Sequence, residues 1–194
     1  MSDSTNAVVA KPLKVVGGIY VVAMGISLPT DATSTIPATA KALGYITDDG
    51  VTRKVDKDTG QLFAWGGSLL TTTRKSASGT VQFTAAEYLN PDAQSLYYGA
   101  ANVTFAAASS SSGSKLTISG DLNAIPPHVG LIIDVMTDSA TGRIVYPDWQ
   151  ASEIDDVVLK DDELTALNLT GDIYPDAAGK SFYEYWVKND KLGS

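Results

Sequence analysis

Alternation of apolar and polar residues with a period of two dominates this chain. In "TVQFTAA", Val81, Phe83 and Ala85 fall on one side and Thr80, Gln82 and Thr84 on the other, the pattern of a half-buried strand. Val51, Arg53 and Val55 alternate with Thr52 and Lys54 in the same way and run into "DKDTG", which reads as a polar loop. The β-branched "VVGGIYVVA", Val15 to Ala23, predicts another strand, with Gly17 and Gly18 marking a bend or a close approach. "QLFAWGGSLLTTTRK" resumes β character around Phe63 and Trp65, and "KLTIS" adds a short strand. "HVGLIIDVMT" is apolar enough for a strand buried on both faces, and "RIVYPDW", "IDDVVL" and "LTALNLTG" complete the set.

Two segments break the period. Asn90 is placed to cap exposed N–H groups, Pro91 suits the first helical position, Asp92 complements the helix dipole and Gly99 can end the helix in the left-handed conformation. Ala93 and Leu96, three apart, give this helix a narrow stripe for docking on a sheet. A second helical piece is expected over Pro37 to Leu43, started by Thr35 and closed by Gly44. The serine-rich 106–115 reads as a mobile loop between strands. Short strands with turns at intervals of about ten residues define a mainly β fold, a sandwich or partly closed barrel with one packed α-helix.

Composition narrows the function more than the fold. The 194 residues suit one domain over 15–174, with a flexible N-terminal arm (1–14) and an aromatic C-terminal arm (175–194). No apolar run is long enough to span a membrane, and the polar N-terminus lacks a signal-peptide core, so a cytoplasmic origin is expected. The absence of cysteine excludes disulfides and thiolate metal sites. The net charge of −8 and pI near 4.5 disfavour a module that grips nucleic acid, yet an acidic wall can let a polyanion slide past without sticking.

Candidate chemistry is sparse. Asp56 and Asp58 imitate the opening of a calcium loop, but the glycine comes early and the twelfth place is Gly67, so a solvated turn is expected. Asp48 and Asp49 in "LGYITDDGV" read as turn chemistry ahead of the strand Val51 to Val55 rather than as a metal pair, because neighbours in a strand face opposite sides. Glu153, Asp155, Asp156, Asp161, Asp162 and Glu163 read as a solvated acidic edge. His128 is the one histidine, no G-x-S-x-G elbow accompanies it, and no phosphate-binding glycine motif is present. No enzyme and no cofactor are expected.

The order of four landmarks is more informative: "SLPTDATSTIPATAKALGYITDDGV", "AWGG", "VQFTAAEYLNPDAQSLYYG" and "RIVYPDWQASEID". Together they resemble the major tail proteins, or tail tube proteins, of long-tailed, siphovirus-type bacteriophages, of the type found in phages of actinobacteria. The family's L-P-T-D-A segment is met by Leu28, Pro29, Thr30, Asp31 and Ala32. Its L-G-Y-I-S-E-D-G-V segment is met by Leu43 to Val51, including Gly44, Tyr45, Asp48, Asp49 and Gly50. A-W-G-G falls on Ala64, Trp65, Gly66 and Gly67, and Y-Y-G on Tyr97, Tyr98 and Gly99. Where the family has F-T-L-I-E, this chain has Ala85 and Ala86, which thins the packing there. The resemblance implies a β-sandwich assembled as hexameric rings that stack into the hollow tail tube of a virion, built in the host bacterial cytoplasm. The implied partners are further copies of the chain, a tape measure protein, and tail terminator and tail tip proteins, with DNA passing through the lumen without specific binding. The alternative is an adhesion or carbohydrate-binding β-sandwich stacking a ligand on Tyr183, Tyr185 and Trp186; a contractile-tail tube protein is a third.

Overall fold

The computed structural model describes residues 9–13, 17–121 and 123–189. Within them lie eleven strands and one α-helix, α1 (Pro91–Tyr98). The strands are β1 (Lys11–Pro12), β2 (Ile19–Ala23), β3 (Lys41–Ala42), β4 (Ile46–Phe63), β5 (Leu69–Ala85), β6 (Val103–Ala106), β7 (Lys115–Ile118), β8 (His128–Met136), β9 (Ala140–Ile154), β10 (Leu167–Tyr174) and β11 (Tyr183–Lys188). Nine of them form one antiparallel sheet with the path β3-β2-β8-β9-β10-β5-β4. β1 extends the β2 side of β8, and β11 lies end to end with β10 along β9. β6 and β7 form a separate hairpin around the serine-rich 107–114.

The sheet curls until its β4 edge reaches β11, where Arg53 donates a hydrogen bond to Glu184 and its guanidinium lies 4.6 Å from the centre of the Phe182 ring. The concave side holds the main core. Val81, Phe83 and Ala85 are buried as their alternation predicts, and Phe83 packs on Trp149 with ring centres 5.7 Å apart. Where β9 bulges at Ser152 opposite β10, Gly171 lies against the Trp149 ring, so close that a Cβ there would lie 2.2 Å from Cε2. A second bulge, between Val129 and Leu131, places Pro147 where no ladder N–H is required of it. The convex side carries a smaller core of Val22, Ile132 and Val145, covered by Leu28, Ile36, Tyr183 and Tyr185.

The helix forms as its caps predict. Asn90 Oδ1 accepts from the N–H groups of Asp92 (3.0 Å) and Ala93 (3.4 Å), and Ala93, Gln94 and Leu96 are buried. Gly99 ends the helix with a positive φ of 80° but an extended ψ of 145°, so it is not the left-handed cap expected.

Four further expectations are corrected. Pro37–Leu43 is not a helix: a tight turn is followed by β3, because Lys41 and Ala42 pair with Val21 and Tyr20 and Leu43 N–H donates to Ile19 O. A seven-residue helix has no such long-range partner and nucleates poorly. Thr35 and Gly44 accordingly cap nothing helical. Asp48 and Asp49 lie inside β4 in a broad bulge, with Thr47–Gly50 facing the single Thr84 and Gly50 at φ 69°. "DKDTG" is strand, not loop, and "IDDVVL" contributes only Ile154 to β9: Asp155 N–H still donates to Asn168 O of β10, and the segment after it forms no strand. Of the strand expected over Val15–Ala23, β2 supplies Ile19–Ala23, and Val15 and Val16 lie outside the described residues.

The largest surprise is the β4–β5 hairpin. β10 leaves β5 after Thr80, and from Val55 and Gly79 outward the two strands pair only with each other. At about 3.3 Å per residue this two-stranded arm reaches roughly 30 Å from the sheet. Most of its residues are exposed, and "AWGG" is its tip.

Candidate functional site

The residues singled out from sequence fall at four separate stations. The first is the convex face. Asp134 of β8 and Arg143 of β9 are direct cross-strand partners, and both side chains are buried. The guanidinium donates to the carboxylate from Nε (2.6 Å to Oδ1) and from Nη2 (3.0 Å to Oδ2). Its remaining nitrogen, Nη1, donates to Asp31 O (3.2 Å), Ser34 O (2.8 Å) and Ser34 Oγ (3.2 Å). One buried cation thus anchors the Leu28–Ala32 loop to the sheet. Pro29 and Ala32 are buried beneath it, Leu28 joins the smaller core, and Thr30 points to solvent. The exposed Asp31 carboxylate folds the loop on itself, accepting from Thr33 N–H (2.7 Å) and Ser34 N–H (2.5 Å). Those two amides, Thr33 first, lower its pKa below the ordinary 3.8.

The second station is the rim from Leu43 to Val51. Gly44 is buried at φ 77°, and the Glu87 carboxylate sits where its Cβ would be. Glu87 accepts from Tyr45 N–H (2.9 Å), joining the rim to the segment that leads into α1. The Tyr45 side chain, Asp48 and Asp49 are exposed. The two aspartates border a cleft of about 490 Å³ with Ile19, Ile133, Val135 and Ile144 among its apolar walls and Arg53 at its edge. Among the described residues no three acids or histidines stand close enough to hold a metal ion, and Asp56 and Asp58 are exposed strand residues.

At the arm tip, Ala64 N–H donates to Ser68 O (2.8 Å) and Gly67 N–H to Ala64 O (2.9 Å). Gly66 and Gly67 turn at φ 111° and 89°, angles that disfavour side chains. Trp65 is wholly exposed (107%), and Phe63, Leu69 and Leu70 around it are each more than half exposed. The fourth station is the end of α1, where Tyr97 and Tyr98 meet edge to face at 5.1 Å beside Gly99. Burial pushes the Tyr98 hydroxyl's pKa up.

These stations do not converge on one pocket. Nor do the aromatics of the C-terminal strand form an open ligand platform: the Tyr183 and Tyr185 rings are stacked in parallel at 6.3 Å and pack on the convex core. Tyr183 donates its hydroxyl to Asp176 (2.7 Å), and Trp186 covers Gly142. His128 opens β8 as a surface residue, its Nδ1 2.6 Å from Asp148 Oδ1. The residues that sequence reading missed are Arg143, Asp134, Glu87 and Gln94. A lone acid in "LIIDVM" and a lone arginine in "GRIVY", each inside an apolar run, were the available signal for the first two. Gln94 had none: it is fully buried and its side-chain amide donates to Tyr88 O (2.6 Å), a contact made by a local bend rather than by periodicity.

A family model described as phage tail tube protein matches residues 1–194. No curated protein matches the chain.

Proposed function

The chain belongs to the phage tail tube protein family, and from that premise we propose that it assembles as hexameric rings stacked into the tail tube of a siphovirus-type virion, the conduit for genome delivery. The match along the whole chain carries this reading. The arm supports it physically. An isolated two-stranded ribbon is marginal in water, and one tipped with uncovered Trp65, Phe63, Leu69 and Leu70 is a surface made to be buried by another molecule. Residues 15–174 form the body of the domain, the terminal segments 1–14 and 175–194 add strands β1 and β11 to its sheet, and the family-motif residues are assembly elements. The partners are further copies, a tape measure protein, and terminator and tip proteins; assembly takes place in the cytoplasm of the host bacterium, which for this type of family member is an actinobacterium. Part of the net charge of −8 faces the lumen, where it keeps DNA from adhering.

Negative-stain electron microscopy of the concentrated protein tests the reading: rings or tubes are expected, and particles of monomer size at every concentration would refute it. Contractile systems also carry a sheath protein, so the absence of a sheath gene beside this one is expected. Asp48 and Asp49 lie at the end of β4 away from the arm and near a ring-to-ring contact in this proposal. Replacing both by alanine should leave folding intact and destabilise tubes.

A further inference from the structure

The strand register fixes where the two ends of the molecule lie. β5 carries the arm beyond Gly79 and ends in the body at Ala85, which pairs with Leu167, and Leu169 in turn pairs with Ile154, the last residue of β9. The segment after Ile154 therefore begins at the end of the sheet opposite to the arm. Beside it lies a shallow hollow of about 650 Å³ whose lining includes Leu89, Pro91, Phe105 and Leu164. Three of these are large apolar residues left open: Leu89 73%, Phe105 52% and Leu164 63% exposed. The adjoining segment is acidic, with Asp155, Asp156, Asp161, Asp162 and Glu163 all exposed and Lys160 bound to Glu163 at 2.7 Å.

The arm is the converse of this surface. Its tip is apolar, and behind the tip Lys57 and Arg74 share one side of the ribbon, since Lys57 faces Ala77 and Thr59, two residues on, faces Arg74. Lys75, in the neighbouring bulge, lies over Gly60 on the opposite side of the ribbon. We propose that the arm of one copy docks on the far end of the next, with Trp65 seated in the hollow between Leu89, Phe105 and Leu164, and with Lys57 and Arg74 against Asp161, Asp162 and Glu163. The proposal rests on the tube reading above and adds which surfaces meet. Two unlike features match, an apolar tip with an apolar hollow and one cationic side of the shaft with an anionic border. A tryptophan seated near the centre of a contact is also a common binding hot spot. Because the surfaces lie at opposite ends, the contact is head to tail and repeats without closing on itself, the geometry of a filament with a direction. In a chain of net charge −8, whose copies repel each other, the cations on the arm determine which end approaches.

The absence of cysteine makes the contact directly testable. Trp65→Cys and Leu164→Cys combined in one chain, treated with a short bis-maleimide after assembly, should give a covalent ladder of trimers and larger species, and either substitution alone should give none. Tubes without a ladder would overturn the proposed contact while leaving the tube reading standing, whereas wild-type protein that forms no tubes would sink that reading instead. Should the cysteine pair prevent assembly, charge exchange decides. Lys57→Glu and Arg74→Glu together should lower tube yield about tenfold or more. Adding Asp161→Lys, Asp162→Lys and Glu163→Lys to the same chain should restore it, and failure to restore would overturn the proposal.

Discussion

Replacing Arg143 by alanine removes the side chain that hydrogen-bonds the Leu28–Ala32 loop to the sheet and leaves the Asp134 carboxylate buried without its cation. The side chains of this pair are 3% and 5% exposed, so solvent does not compensate the loss. Breaking a buried pair from one side costs about 3–5 kcal/mol. The carbonyls of Asp31 and Ser34 also lose their donor, but they belong to a surface loop that water can reach, so they add little. Against a total of about 5–15 kcal/mol for a typical domain, the loss is roughly a fifth or more of the stability. At about 2–4 °C per kcal/mol for a chain of this length, the midpoint should fall by roughly 6–20 °C. Urea unfolding of dilute, unassembled protein, followed through the fluorescence of buried Trp149, measures it. Asp134→Ala should cost a similar amount by stranding the guanidinium. The double replacement Arg143→Met with Asp134→Leu should recover most of the loss, because no buried charge remains. A cost below about 1 kcal/mol for Arg143→Ala, or a double variant as unstable as the two single losses added together, would refute the assigned role.

Gly171→Ala should destabilise by about 1–3 kcal/mol or more, since its Cβ would enter the Trp149 ring; an unchanged urea midpoint would show that the ring yields freely. Asn90→Ala should cost about 1 kcal/mol through loss of two capped N–H groups, with Asn90→Asp nearly neutral in the same assay. The Asp176–Tyr183 contact should make stability fall at both extremes of pH. The tyrosine hydroxyl is the main cause holding the Asp176 pKa below 3.8, so that contribution is present above 3.8 and is lost as pH falls through the depressed value. The same bond raises the Tyr183 pKa above 10, so its contribution is present below 10 and is lost as pH rises past that point. Tyr183→Phe should flatten both limbs of the stability profile. Neutralising acids that line the lumen should slow genome ejection from particles whose tubes still form, and unchanged ejection kinetics would count against an electrostatic wall.

How much of this was legible in the sequence depended on whether a segment buries one face. Val81, Phe83 and Ala85 alternate because one side of β5 is core, and Asn90-Pro91-Asp92 spells a helix start because capping is local. The full length of the arm is not legible, for the opposite reason: "DKDTG" reads as a loop although "QLFAWGGSLLTTTRK" has β character. Beyond Val55 neither face meets a core, so "DKDTG" and "LLTTTRKSAS" carry no alternation, and only their mutual pairing makes them strands. The expected helix at Pro37–Leu43 failed because its residues pair with β2, about twenty positions earlier, which local propensity does not register. The family-motif residues were visible as motifs, but their reasons were not: Asp31 and Ala32 depend on Arg143, and Gly44 on Glu87, both distant in sequence.

The arm also divides the chain into two kinds of position for evolution. A substitution in β8 or β9 is judged first by whether the molecule folds. One at Trp65, Leu70 or Thr72 costs the monomer almost nothing and is judged only by the fit to a neighbour. Residues beyond Gly79 can therefore drift in step with the surface that receives them, so two diverging lineages can lose the ability to form mixed tubes while each keeps the same fold.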